Sequence, residues 1–166
     1  MRNAVTNPLD DLVGPWQIAG SHVFHIAMAV DDVASATATF GAALGLTWTP
    51  IKQVQLLLNT AAGTVVTPIE AVYSREGPPY FELVSGPAGS FFAPAPGGPR
   101  LHHVGYFVDD VAPEVRRLEA LGMTVHGIQP GEPAGVAFLT NSLGFAIEVH
   151  PPRSRKGLLD WFAQGS

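Results

Sequence analysis

Apolar residues recur along this chain with two alternating periods, and the same succession of periods occurs twice. From His22 to Val30 the chain is dominated by Val, Phe, Ile, Met and Ala, too short a run for a helix, and it stops at Asp31-Asp32. That predicts a buried strand ending at a helix cap. Val33, Ala36, Phe40 and Leu44 then fall at spacings of three and four, which predicts an amphipathic helix with Asp32 as N-cap and Gly45 just past its end. Three segments with strand character follow: Leu46 to Leu58, with a break at Pro50 as the alternative, Gly63 to Tyr73, and Tyr80 to Ser85. Pro68 cannot donate to a ladder, so the second of these is expected at an edge or a bulge.

The pattern restarts at Leu101 to Val108, a strand, followed by a helical stripe of Val111, Val115, Leu118 and Leu121 capped by Asp110 and stopped by Gly122. Met123 to Ile128, Val136 to Thr140 and Phe145 to His150 read as three short strands, with Asn141 to Gly144 as a turn. Leu158, Leu159, Trp161 and Phe162 predict a short final helix that packs on the body or on a partner. The organisation expected is an arm over 1–20 anchored by Trp16, a βαβββ module over 21–86, a Pro/Gly-rich linker over 87–100, a second βαβββ module over 101–151, and a tail helix over 152–166. The predicted fold class is α+β, two tandem βαβββ modules forming a curved, partly open mixed sheet around a pocket. In the linker, Phe91 and Phe92 either close over a ligand or staple the halves together.

Composition narrows the chemistry. With 166 residues, 46% of them apolar and 14% charged, the chain can bury a sizeable core. The absence of cysteine excludes disulfides, thiolate metal sites and a cysteine nucleophile, so any metal must be held by nitrogen and oxygen donors. A net charge of −5, with no basic run beyond Arg153 to Lys156, argues against a nucleic-acid partner. No apolar stretch reaches signal-peptide or membrane-span length, so a cytoplasmic protein with no membrane partner is expected.

The candidate site comes from the repeat. At one constant offset, His25 overlays His103, Val30 overlays Val108, and Asp31-Asp32-Val33 overlays Asp109-Asp110-Val111. Capping explains the paired aspartates, which stand just before the helical stripes. It does not explain the paired histidines. By strand alternation His25 lies on a face of small residues with Val23, Ala27 and Ala29, and His103 on a face with Gly105 and Phe107. Phe24, Ile26, Met28, His102, Val104 and Tyr106 are assigned to the opposite, helix-facing sides, so His102 is expected to be structural and its replacement to leave metal content largely intact. The last strand of each half carries one carboxylate in an apolar run, Glu82 and Glu148, and the two align when the strands are overlaid. A carboxylate in such surroundings is costly unless paired or bound to a metal. Two histidines and two glutamates at equivalent positions predict a His2Glu2 centre for a divalent ion, Co, Ni, Mn, Zn or Fe, with Glu82 and Glu148 also available as proton acceptors and Glu70 as a third candidate base. His150, just before Pro151-Pro152, reads as a surface histidine.

Four stretches carry a resemblance: His-Ile-Ala-Met-Ala-Val-Asp-Asp-Val from His25, Phe-Glu-Leu-Val-Ser-Gly-Pro from Phe81, Leu-His-His-Val-Gly-Tyr-Phe-Val-Asp-Asp-Val from Leu101, and Ala-Ile-Glu-Val from Ala146. Over about Ser21 to Pro151 the chain resembles the vicinal oxygen chelate superfamily of glyoxalases, bleomycin-resistance proteins, extradiol dioxygenases and methylmalonyl-CoA epimerases, with Tyr80 to Val111 most similar to the epimerase branch. The resemblance implies His25, His103 and Glu148 as metal ligands. Glu82 stands at the remaining ligand position, where the epimerases usually carry Gln and bacterial glyoxalase I carries Glu. It further implies a small-molecule carbonyl substrate, isomerase, epimerase or lyase chemistry through a metal-stabilised enolate, and a homodimer. The alternatives are a metal-free binding protein of antibiotic type, and an Fe(II) ring-cleaving dioxygenase using His25, His103 and Glu148.

Overall fold

The computed structural model describes residues 17–18 and 21–165; the arm expected over 1–20, with its Trp16 anchor, lies outside the described residues apart from Gln17 and Ile18. The elements in order are β1 Gln17–Ile18, β2 Ser21–Ala29, α1 Val33–Leu44, β3 Lys52–Thr60, β4 Gly63–Tyr73, β5 Tyr80–Ser85, β6 Arg100–Phe107, α2 Val111–Ala120, β7 Thr124–Ile128, β8 Ala137–Thr140, β9 Ala146–His150 and α3 Ser154–Phe162. The chain is α+β, and its strands run β1-β2-β5-β4-β3-β7-β8-β9-β6 with β6 returning to β2, so the mixed sheet curves into a barrel. The closure is uneven. β2 and β6 pair along much of their length, whereas β3 and β7 share the single pair Asn59 and Ile128.

Parallel pairing places β5 beside β2 and β9 beside β6, and the connections between them carry α1 and α2 over the outer face. Both helices start as the capping rule requires: Asp32 Oδ1 accepts from Ser35 N at 2.6 Å and Asp110 Oδ1 from Ala112 N at 3.1 Å. Gly45 closes α1 in the left-handed conformation at φ 70°. The stripes pack at their beginnings and run out at their ends. Val33, Val111, Val115 and Leu118 are buried, but Leu44 and Leu121 are 58% and 70% exposed because the sheet curves away from them. β3 starts only at Lys52, two residues past Pro50. Pro68 lies where β4 has already outrun its pairing with β5, which covers only Glu70 to Tyr73, so that stretch is an edge on one side.

Three clusters form the core. Val30, Val33, Val72 and Leu83 lie under α1, and Tyr106, Val111, Val115, Leu118 and Leu139 lie under α2. The third fills the barrel interior with Leu56, Leu58, Tyr73, Val84, Phe92, Phe138 and Trp161. The tail helix therefore packs on the body: Trp161 is buried, and its Nε1 donates to Pro50 O at 2.8 Å. Arg75 holds the end of α3 by donating to the carbonyls of Phe162 and Gln164. Phe92 is 2% exposed in the same interior cluster, so this ring of the linker is part of the core.

Candidate metal centre

Strand register explains how four residues far apart in sequence meet. Across β5, β2, β6 and β9 one row reads Glu82, Ala27, His103, Ala146, and the row two residues away reads Tyr80, His25, Gly105, Glu148. Each row carries one histidine and one glutamate separated by a small residue, and adjacent strands are only ~4.8 Å apart, so long side chains can lean over the gap and converge. The gap is obligatory. A Cβ on Gly105 would stand 2.0 Å from His25 Cε1, so no other residue leaves room for that imidazole.

The donor atoms form a tight cluster. His25 Nε2 lies 3.2 Å from Glu82 Oε2 and 3.0 Å from Glu148 Oε2, His103 Nε2 lies 3.1 and 3.0 Å from the same oxygens, and the two imidazole nitrogens are 2.9 Å apart. Metal bonds of about 2.1 Å place neighbouring ligand atoms about 3.0 Å apart when they meet at right angles. The five separations match that edge length. All four residues are buried, and Glu82 Oε2 faces the imidazole nitrogens of His25 and His103. Two buried carboxylates are costly unless positive charge stands against them, and a divalent ion held among the four residues would supply it. The residues present therefore fit a divalent ion, and His25, Glu82, His103 and Glu148 form a group that could hold one.

In the metal-free protein, protons take the cation's place. Burial alone would lower both imidazoles, but Glu82 and Glu148 outweigh it, raising His25 above the ordinary histidine value and His103 to about 9. Burial likewise opposes ionisation of the acids, yet His25 and His103 hold Glu82 down at about 2, and His150 with His103 holds Glu148 well below the usual range. Tyr73, against the same acids, is pushed well above its ordinary value by burial and by Glu82, so its phenol stays protonated.

Three neighbours differ from expectation. β6 carries a bulge: Ala27 pairs with His103 while Met28 pairs with Leu101, leaving His102 as the extra residue. His102 consequently does not lie under a helix. Its ring stacks on Phe92 at 5.2 Å between centroids, and its Nδ1 is 2.7 Å from His103 Nδ1. Burial, with His103 beside it, pushes its pKa down to about 3, so it is neutral. A second bulge, at Phe24 on β2, turns that ring from the expected helix side to the rings of His25, Phe107 and His150. His150 is not on the surface. It is 4% exposed with Nε2 3.1 Å from Glu148 Oε2, because the chain turns back after Pro152 and Ser154 Oγ approaches His150 Nδ1 at 3.3 Å.

Glu70 is not brought to the cluster. Its register neighbour Ala71 packs inside the barrel, so alternation turns Glu70 to the outer face, where Gln53 Nε2 donates to it at 3.1 Å. Gly105 and Tyr73 are supporting residues that the alternation of faces did not single out. The signal for the first was a glycine inside an apolar strand.

A cavity of about 200 Å³ opens on the centre, lined by Glu82, His103, Glu148 and His150 and walled by apolar residues including Leu56, Val84, Phe138, Leu158 and Trp161. A second cavity, about 520 Å³ and mainly apolar, lies beyond Phe24 and includes none of the four ligands; Leu158 of α3 borders both.

Comparison with known proteins agrees with this fold. The family model of the Glyoxalase/Bleomycin resistance protein/Dioxygenase superfamily matches residues 24–149, and the chain belongs to that superfamily. No curated protein sequence matches the chain. Among solved structures, methylmalonyl-CoA epimerase from Mycobacterium tuberculosis superposes with a TM-score of 0.55 at 20% identity, covering 86% of this chain and 97% of its own. A hypothetical protein, BH1468 from Bacillus halodurans, gives 0.53 at 16% identity over 79% and 94%. A methylmalonyl-CoA epimerase in complex with methylmalonyl-CoA and NH4+ gives 0.53 at 15% identity over 80% and 99%. At these identities the likeness is one of fold. No described helix is long and apolar enough to cross a membrane.

Proposed function

We propose that the chain is a divalent-metal-dependent isomerase, epimerase or lyase that removes a proton next to the carbonyl of a small substrate. The observation that carries this reading is the buried His25, Glu82, His103, Glu148 cluster at the floor of an apolar cavity. A divalent cation held there supplies positive charge against the negative charge that an enolate develops. Glu82 and Glu148 stay ionised at neutral pH, so either can accept the proton and return it. Tyr73, protonated and on the cavity wall, bonds to Glu82 and so helps to orient that carboxylate.

The cavity also bears on the substrate. At about 200 Å³ it is smaller than the ~300–1,000 Å³ of drug-sized ligand sites, and among the described residues no lysine or arginine lines it. We therefore favour a compact carbonyl compound with an apolar body. A CoA ester would have to keep its phosphates outside. The same reading takes the centre to lie where two βαβββ units, 21–86 and 101–151, meet, supported by the matching parallel pairs β2–β5 and β6–β9. It takes the protein to be cytoplasmic and homodimeric. For the dimer, exposed Leu57, Val65 and Val66 on β3 and β4 offer better support than α3, whose Trp161 is used internally.

Metal analysis of protein purified without added ions tests the proposal. Stoichiometric Co, Ni, Mn or Zn that is lost in His103→Ala is the expected result, together with solvent deuterium uptake next to the carbonyl of a substrate. Stoichiometric Fe would favour the ring-cleaving dioxygenase. Protein that neither contains nor takes up a metal would be the binding protein.

A further inference from the structure

The hydrogen bonds behind His103 can be assigned from one fixed point. Phe91 O is a carbonyl and can only accept; it takes a bond from Arg100 Nη2 at 2.7 Å, and His102 Nε2 stands 2.8 Å from it. His102 Nε2 must therefore carry a hydrogen. His102 is fully buried against the rings of Phe91 and Phe92, surroundings that disfavour a charged imidazole, and a neutral imidazole has only one hydrogen, so His102 Nδ1 is a bare acceptor, and its neighbour at 2.7 Å, His103 Nδ1, must be the donor. With its hydrogen committed to Nδ1, a neutral His103 presents a lone pair at Nε2, the atom that faces His25, Glu82 and Glu148.

We propose that His102 is a positioning residue: the chain Phe91 O, His102, His103 fixes the tautomer and ring orientation of His103 so that its Nε2 lone pair is aimed at the metal centre. Among the described residues nothing equivalent stands behind His25, whose buried Nδ1 has no hydrogen-bond partner there. The β6 bulge makes the arrangement available, because adjacent residues of a regular strand point to opposite faces and could not bring their rings together. Conserving this geometry requires an acceptor near the His102 Nδ1 position rather than a histidine as such. Asparagine can provide one and leucine cannot.

The inference rests on the metal reading for its purpose, but half of its test needs no metal. In metal-free wild-type protein, long-range proton–nitrogen NMR should find His102 as the Nε2–H tautomer and a downfield, slowly exchanging His103 Nδ1–H. In His102→Leu that resonance should lose its downfield shift. In parallel, chelator competition with Zn²⁺ should give His102→Leu an affinity about 10–100-fold weaker than wild type, the usual cost of losing an outer partner of a ligating histidine. His102→Asn should recover part of it. An Nδ1–H tautomer at His102 in the wild type, or a folded His102→Leu with zinc affinity within twofold of wild type, would overturn the proposal. If His102→Leu does not fold, the wild-type tautomer and the affinity of His102→Asn decide. A wild type that binds no zinc would defeat the metal reading, while the NMR assignment would still decide the hydrogen-bond chain.

Discussion

His25 and His103 hold matching places on β2 and β6, yet their surroundings are unlike. Behind His103 stand His102 and the Phe91 carbonyl, and beside Glu148 stands His150, itself approached by Ser154 from α3. The His25 ring instead lies directly over Gly105, and its Nδ1 has no hydrogen-bond partner among the described residues. Ring packing from Phe24 at 5.1 Å and Tyr73 at 5.4 Å holds that imidazole in place. One side of the centre is aligned by directional hydrogen bonds and the other by shape. Repetition of a strand motif thus reproduces the histidine, while each histidine's support depends on what the rest of the chain packs behind it.

The comparison can be broken most directly at Gly105. Gly105→Ala should disturb the side held by shape: with a methyl group 2.0 Å from the His25 ring, metal affinity should fall by more than the ~10–100-fold expected for loss of an outer partner. Overpacking should also lower stability by about 1–3 kcal/mol in thermal or denaturant unfolding. An alanine variant that binds metal normally would show that His25 has another resting place.

A pH series sharpens the same contrast. His103 in the metal-free protein is held up to about 9, above its ordinary 6.5, so a metal must displace a proton below that pH. Zinc affinity should rise with pH, by up to about tenfold per unit for one displaced proton, and level off above about 9. Stability of the metal-free protein should move the other way. A raised folded-state pKa contributes stability that is fully present below 6.5 and is lost as pH rises through 9. Parallel rather than opposed trends in the two measurements would contradict the shared use of the His103 lone pair. The smallest effect belongs to Glu70→Gln. Metal affinity should stay within twofold of wild type, since Glu70 lies outside the barrel with Gln53.

The elements were legible because short-range rules govern them. Asp32 and Asp110 cap helices in the sequence for the reason they do so in the fold, and β4 and β5 run from Gly63 to Tyr73 and from Tyr80 to Ser85 as the pattern of apolar residues and turns predicts. The four clustered residues were legible for another reason: a histidine and a carboxylate recurring at equivalent places in two apolar strands are hard to explain without a shared task. Strict alternation misled for His102 and Phe24, each the extra residue of a bulge, since a bulge is a property of two paired strands and leaves no mark in either alone. His150 was misjudged for a similar reason. Its burial depends on α3 folding back over the end of β9.

By itself, then, the sequence determined the α+β class, the helix ends and the His25, Glu82, His103, Glu148 set, because these follow from periodicity, capping and repetition within the chain. Only the tertiary structure decided which residues support those ligands, that Glu70 faces outward, and that the cavity is small and apolar with no cation on its wall. Those outcomes depend on strand register, on bulges and on the docking of α3, which arise from contacts between segments far apart in the chain.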